Sequence, residues 1–159
     1  MAFEKAKAYL EKQGFADRII ETSHSSATVA EAAEAIGCDP AVIAKTLSFL
    51  VGDQPVLILA DGLARIDNRK YKDTFGCKAK MIPPDRVKPL VGHEIGGVCP
   101  FGVNDGVSVY LDQSLNKHET VYPAAGNDHS GVKLSITELE KCSNYLKWID
   151  VTMERKDER

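Results

Sequence analysis

"TLSFLVGDQPVLILA", Thr46 to Ala60, is the stretch whose reading decides the fold. Two apolar runs, 46–51 and 55–60, flank Gly52-Asp53. Runs of this length, rich in branched aliphatic residues and joined by so short a link, read as two strands of a hairpin. "VSVYLD" (107–112) alternates apolar and polar residues and reads as a further strand. Leu47, Phe49, Leu57, Leu59, Val109 and Leu111 are the expected core.

Helical signals lie outside this hairpin. Residues 3–13 put Phe3, Ala6, Tyr9 and Leu10 on one face and stop at Gly14. "RIIET" (18–22) is a short strand. Thr28 and Glu31 form a capping-box pattern before "VAEAAEAIG", which ends at Gly37. Asp39-Pro40 opens a short helix. Downstream, "DNRKYKDTFG" (67–76) is a helix, "KAKMI" a strand and "PPDRVKPLVG" a short helix. "TVYPAA" (120–125) and "VKLSI" (132–136) are strands, and Thr137 to Glu140 is a capping box for a final helix. Helices and strands mixed in this order, with hairpin-length gaps, predict an α+β fold around a mixed sheet or barrel, in a single domain over 1–159.

Composition narrows the class. Of 159 residues, 43% are hydrophobic and 27% charged, as in an ordinary globular protein. No apolar run reaches the roughly 18 residues of a membrane span. The N-terminal "MAFEKAKAYLEKQG" lacks a signal peptide's apolar centre, so a cytoplasmic location is expected. Cys38, Cys77, Cys99 and Cys142 form no CxxC pair, so neither a metal site nor a redox pair is expected. The net charge of −3 conceals a basic segment, Arg65 to Lys88, with eight positive residues against Asp67, Asp73 and Asp85. Such a segment is either a phosphate-facing surface or a solvated face of alternating charges.

No nucleophile elbow, phosphate loop, zinc-protease motif or dinucleotide fingerprint occurs. Four places carry candidate chemistry. Lys45 stands where a short helix gives way to an apolar strand, and either snorkels or meets a ligand. "GGVCPFG" (96–102) is dense in glycine, and its backbone can approach a ligand closely. "AAGNDHSG" (124–131) presents Asp128 and His129 after small residues, as a ligand-orienting loop or a polar turn. "TSHSSAT" (22–28) offers hydroxyls that either bind or cap the next helix.

Taken together and in this order, "HSSATVAEAAEAIGCDPAVIAKTLSFLV", "GCKAKMIPPDRVKPLVGHEIGGVCPFG" and "YPAAGNDHSGVKLSITEL" resemble the YbaK/ProX/EbsC family. Its members are free-standing aminoacyl-tRNA deacylases related to the editing domain of bacterial prolyl-tRNA synthetase. The likeness runs over roughly 20–150 and implies the family fold, a mixed, barrel-like β-sheet flanked by helices. It implies that Lys45, Gly97 and Gly126 are the catalytic positions, with Lys45 near the terminal adenosine and phosphate of the substrate. It also implies that Thr22, Ser25, Thr46, Pro100, Phe101, Gly102, Asp128 and His129 shape the aminoacyl pocket. Arg69, Lys70, Lys72 and Lys80 would then face tRNA.

The resemblance implies no cofactor. It points to a mischarged tRNA, first tRNA(Pro) carrying a small amino acid such as alanine, cysteine or serine, with prolyl-tRNA synthetase as a conceivable partner. An aminoacyl ester is already activated, so the site needs a placed water, a stabilised oxyanion and exclusion of wrong side chains, not a covalent nucleophile. Two other readings stay open: a non-catalytic tRNA- or synthetase-binding module, and a regulator that binds a small molecule in the same pocket.

Overall fold

The computed structural model describes residues 2–153; Met1 and residues 154–159, which the single-domain expectation also takes in, lie outside the described residues. The hairpin forms as two eight-residue strands, β2 (Ala44–Val51) and β3 (Gln54–Asp61), paired antiparallel with Leu47 opposite Ile58. Gly52, at φ 63°, takes the left-handed turn position that L side chains avoid.

Two further strands extend the sheet beyond β3. β5 (Ser108–Asp112) runs parallel to β3, and β9 (Lys147–Ile149) runs parallel to β5, giving the order β2-β3-β5-β9. Parallel neighbours need long crossovers. The first crossover contains β4 (Arg65–Ile66), α3 (Asn68–Phe75), α4 (Pro84–Val91) and the glycine-rich loop. The second contains β6 (Thr120–Val121), β7 (Ser130–Val132), β8 (Leu134–Ser135) and α5 (Ile136–Cys142). The N-terminal part is α1 (Ala2–Gln13), β1 (Ile19–Glu21) and α2 (Val29–Ile36), and β10 (Thr152–Met153) ends the described chain. Three antiparallel pairs, β1 with β7, β4 with β10 and β6 with β8, stand apart from the main sheet. The mixed α+β character is as expected, but among the described residues the strands do not close into a barrel.

The sheet is buried on both faces. Leu57, Leu59, Val109 and Leu111 point to one side with Leu10, Phe101, Leu134 and Leu139. Phe49, Val56 and Ile58 point to the other, where α3 brings Tyr71. There Tyr71 stacks between Phe49 and Phe75, at ring distances of 5.1 and 4.7 Å. The six expected core residues therefore do not share one core, because the register sets Leu47 opposite Ile58 and Phe49 opposite Val56, which puts Leu57 and Leu59 on the other face. Leu47 is only half-buried, packed at the edge of the Phe49 side.

Three local expectations need correction. "KAKMI" is not a strand: only Met81 bridges to Phe49, and Pro83-Pro84, of which each lacks an N–H, follow at once. "TVYPAA" pairs only over Thr120–Val121, since Tyr122 turns to bond Val42 and Ala44, and Pro123 cannot donate. The last helix is capped by Ser135 with Glu138, not by Thr137 with Glu140; Ser135 Oγ accepts from Glu138 N, and Glu138 Oε1 accepts from Ser135 N. Both windows fit the capping pattern, and the strand end at Ser135 decides between them.

Candidate active site

A cavity of about 350 Å³ opens beside the first half of β2. Its floor is Ala44, Lys45, Thr46, Leu47 and Ser48. One wall is α2, through Val29, Ala32 and Ile36. This helix starts where Thr28 Oγ1 accepts from Glu31 N at 3.1 Å and stops at Gly37, φ 85°. Its alanines let it lie close to Ile43. The opposite wall is Ile82, Val87 and Val98, and Met81 and Ile95 stand exposed at the rim.

Loops 22–28 and 124–131 are laced together behind the cavity. Thr22 N donates to His129 O at 2.8 Å, and Ser26 N donates to Asp128 O at 2.5 Å. Ser130 N donates to Ser26 Oγ at 3.2 Å, and Ser130 Oγ donates to Asn127 Oδ1 at 2.7 Å. The glycine-rich loop meets them backbone to backbone. A Cβ on Gly97 would lie 2.5 Å from Asn127 N and 2.6 Å from Gly126 C, so only glycine fits. Gly97 N donates to Glu94 O at 3.0 Å. In this arrangement Gly97 lets two loops touch, and its N–H is already used within its own turn.

Lys45 lines the cavity, half-buried, and its Nζ donates to Gly62 O at 3.3 Å and to Ala64 O. The two carbonyls hold the ammonium at the cavity wall, where its N–H donors stand beside whatever enters. Thr46 lines the same floor, and its buried Oγ1 has no hydrogen-bond partner among the described residues. Asp128 and His129 form a half-exposed pair, Oδ1 to Nδ1 at 2.5 Å. They flank the loop junction without lining the cavity, although a Cβ on Gly96, which does line it, would lie 3.5 Å from Asp128 Cβ.

The other expected positions sit elsewhere. Thr22 Oγ1 donates to His24 O at 2.7 Å, and Ser25 Oγ accepts from Ala27 N at 3.2 Å, so both hydroxyls shape their own loop. Pro100 and Phe101 are buried, Phe101 in the main core. Gly102 packs on α1, where an added Cβ would meet Lys5 O at 2.9 Å. Of the glycine-rich stretch, Gly96 and Val98 face the cavity, joined by Ile95 from just before it. Ser130, from the 124–131 loop, also lines it, as do Met81 and Tyr122, which the sequence did not single out.

Two buried groups behind the glycine-rich loop are structural. His93 Nε2 donates to Phe101 O at 2.7 Å and lies 3.5 Å from Cys99 Sγ. Burial pushes its imidazole below the ordinary value, the Phe101 carbonyl pulls the other way, and Lys5 adds to the lowering. Burial likewise pushes the Cys99 and Cys142 thiols up to about 12, so neither supplies a thiolate near neutral pH. Among the described residues no group of three or more His, Cys, Asp or Glu side chains could hold a metal ion, and no helix is long and apolar enough to cross a membrane.

Of the basic segment, Arg69, Lys72 and Lys80 are exposed. Lys70 is engaged with the C-terminal strand region, its Nζ 3.1 Å from Asp150 Oδ1 and donating to Thr152 O at 2.9 Å. Lys80 neighbours Met81 at the rim.

Comparison with known proteins bears on this geometry. The chain is 45% identical to the uncharacterized protein YwhH of Bacillus subtilis (strain 168) over 152 residues, covering 95% of this chain and 97% of that one. It is 32% identical over 105 residues to the proline–tRNA ligase of Shouchella clausii (strain KSM-K16), covering 65% of this chain but only 18% of the ligase. The crystal structure of a candidate trans-editing enzyme for prolyl tRNA synthetase superposes with a TM-score of 0.85 at 29% identity, covering 96% of this chain and 97% of that one. Residues 24–142, which include the whole cavity lining, match the model of the aminoacyl-tRNA editing domain, and the chain belongs to that family.

Proposed function

We propose that this protein is a free-standing aminoacyl-tRNA deacylase that hydrolyses the ester of a mischarged tRNA, first tRNA(Pro) carrying a small amino acid. The observation that carries the reading is Lys45, whose ammonium is held at the wall of an otherwise largely apolar cavity inside the region matching the editing domain. The likeness to proline–tRNA ligases and to a candidate trans-editing enzyme for prolyl tRNA synthetase supports the choice of tRNA.

In the proposed reaction the 3′ end of the tRNA enters over the Met81–Ile95 rim. The aminoacyl side chain lies against Val29, Ala32 and Ile36, where size decides entry. Lys45 fixes the terminal ribose and phosphate. Water adds to the ester carbonyl, the bond to the ribose oxygen breaks, and the amino acid and a free terminal hydroxyl leave. No covalent enzyme intermediate is needed, in keeping with the high thiol pKa values of Cys99 and Cys142. Discrimination by a cavity yields only about 1–3 kcal/mol per methylene, which suits removal of small wrong amino acids and sparing of larger right ones.

The test is a deacylation screen over a panel of tRNAs charged with alanine, serine, cysteine and proline. Catalytic release of one or more of the small amino acids from tRNA(Pro), with prolyl-tRNA spared, is expected. Salt-sensitive tRNA binding with no release would instead identify a binding module.

A further inference from the structure

Asp61 ends β3 and is completely buried. The comparably buried Asp112 has an evident structural role. It accepts from Ser114 N, Val151 N and Thr152 Oγ1 at 2.6–2.9 Å and ties β5 to the C-terminal segment. Asp61 has different company. Its Oδ1 accepts from Leu63 N at 2.7 Å, while its Oδ2 lies 2.7 Å from His118 Nε2 and 3.2 Å from Lys117 Nζ. A carboxylate can only accept, so the His118 Nε2 carries the proton in this contact. Burying a carboxylate with basic partners is costly, and removing one partner costs more than the pair contributes.

The pair holds the turn of residues 61–64. That turn is fixed on every side. Asp61 N donates to Ser114 Oγ at 3.0 Å, and Ala64 N donates to Asp61 O at 3.0 Å. Gly62 passes so close to the preceding segment that a Cβ would sit 2.1 Å from Pro40 O. The carbonyls presented by this turn, Gly62 O and Ala64 O, are the ones that receive Lys45 Nζ. A continuous path therefore runs from His118 through Asp61 and the turn to the ammonium at the cavity wall.

We propose that Asp61 and His118 are a positioning pair for Lys45. They fix the two carbonyls that aim its ammonium, and neither touches the substrate. The inference rests on the role given to Lys45 in the proposed deacylation. Lys117 and Lys45 are the other charged groups joined to this pair or to its turn by the contacts above. The pair therefore sets a geometry, and loss of either member should loosen the ammonium without emptying the cavity.

The test is a double-mutant cycle on single-turnover deacylation. Asp61→Asn and His118→Ala are each introduced into the native protein and into Lys45→Ala. Each is expected to slow the native protein about 10-fold and the Lys45→Ala protein less than about 2-fold, since residues acting through one another are not additive. Equal losses in both backgrounds would overturn the proposal and leave the pair as fold support. Should Asp61→Asn fail to fold, His118→Ala alone decides, as that side chain lies nearer the surface, 14% exposed.

A readout independent of activity is the NMR signal of Lys45 in protein labelled with 13C at lysine Cε. It is expected to shift or broaden in His118→Ala, and an unchanged Lys45 signal would overturn the proposal. If the native protein deacylates no tRNA of the panel, the proposed function fails and the NMR result alone decides this inference.

Discussion

At the scale of single residues, Lys45 has two roles that measurement can separate. Its hydrogen bonds to Gly62 O and Ala64 O belong to the fold, and its charge at the cavity wall belongs to the proposed reaction. Lys45→Ala should lower stability by about 1.5–3 kcal/mol, the scale of hydrogen bonds from a charged donor. It should lower single-turnover deacylation about 100-fold, the scale of a lost polar contact in a transition state. Melting temperature and rate on the same sample check both, and full activity would remove Lys45 from the mechanism. His129 is a different case, half-exposed on Asp128 at the loop junction and outside the cavity lining. If it reaches the amino acid once substrate is bound, His129→Ala should change the ranking of amino acids released more than it changes tRNA affinity. An unaltered ranking and rate would make it a turn residue.

At the scale of elements, the junction of the glycine-rich loop with loop 124–131 is the most constrained feature. Gly97→Ala would place a methyl carbon 2.5 Å from Asn127 N, so the loops must part. A loss of about 1–3 kcal/mol is expected, as for other overpacked sites, together with weakened deacylation. An unchanged melting temperature would show that the loops move freely.

His93 clamps the same loop from behind, and its buried Nδ1 has no hydrogen-bond partner among the described residues. Its folded-state pKa is lowered below the ordinary 6.5, chiefly by burial. Below about pH 6.5 the unfolded chain takes up a proton that the folded one refuses, so stability is lost as pH falls through that value. The slope contributed by this residue reaches at most about 1.4 kcal/mol per pH unit. Urea unfolding between pH 7.5 and 5 should show this decline in the native protein and a shallower one in His93→Gln. Parallel pH profiles would exclude the linkage.

Helix stops at Gly14, Gly37 and Gly76 and the N-caps at Thr28 and Asp39 were legible in the sequence because each rests on atoms within four residues. The central hairpin was legible for the same reason. The parallel pairing of β5 with β3 was not, and β9 drew no sequence signal, because "KWI" becomes a strand only beside Tyr110 and Leu111. The site divided along the same line. Lys45 and Thr46 were found, through resemblance, but Met81 and Tyr122 join the cavity only by tertiary packing. The Asp61–His118 contact spans 57 residues, with no spacing rule to reveal it.

At the scale of the whole molecule, the proposed function requires an acidic protein to approach a polyanion. The net charge is −3, so long-range attraction cannot come from the average and has to come from distribution. The basic segment supplies it only in part. Lys70 is occupied by Asp150 and Thr152, whereas Arg69 and Lys72 on α3 and Lys80 beside the rim are exposed, as are Arg65, Lys78, Arg86 and Lys88, the last 3.1 Å from Glu94. Lys80 lies one residue from Met81, where the proposed 3′ end would enter, so its contact should be felt most by the terminal nucleotides. Binding should therefore weaken as salt rises. Reversing Lys72 and Lys80 together to Glu should flatten the slope of log affinity against log salt by roughly 1.5, at about 0.7–0.9 per contact. The same variant should lower turnover at subsaturating tRNA and leave it nearly intact at saturation, since neither residue lines the cavity. Lys70→Glu makes a poorer probe, because it also sets a carboxylate against Asp150. Filter binding over a salt series, with turnover at two tRNA concentrations, separates the outcomes. An unchanged slope and unchanged subsaturating turnover would make the segment a solvated face, and tRNA would then have to be held by the rim and Lys45 alone.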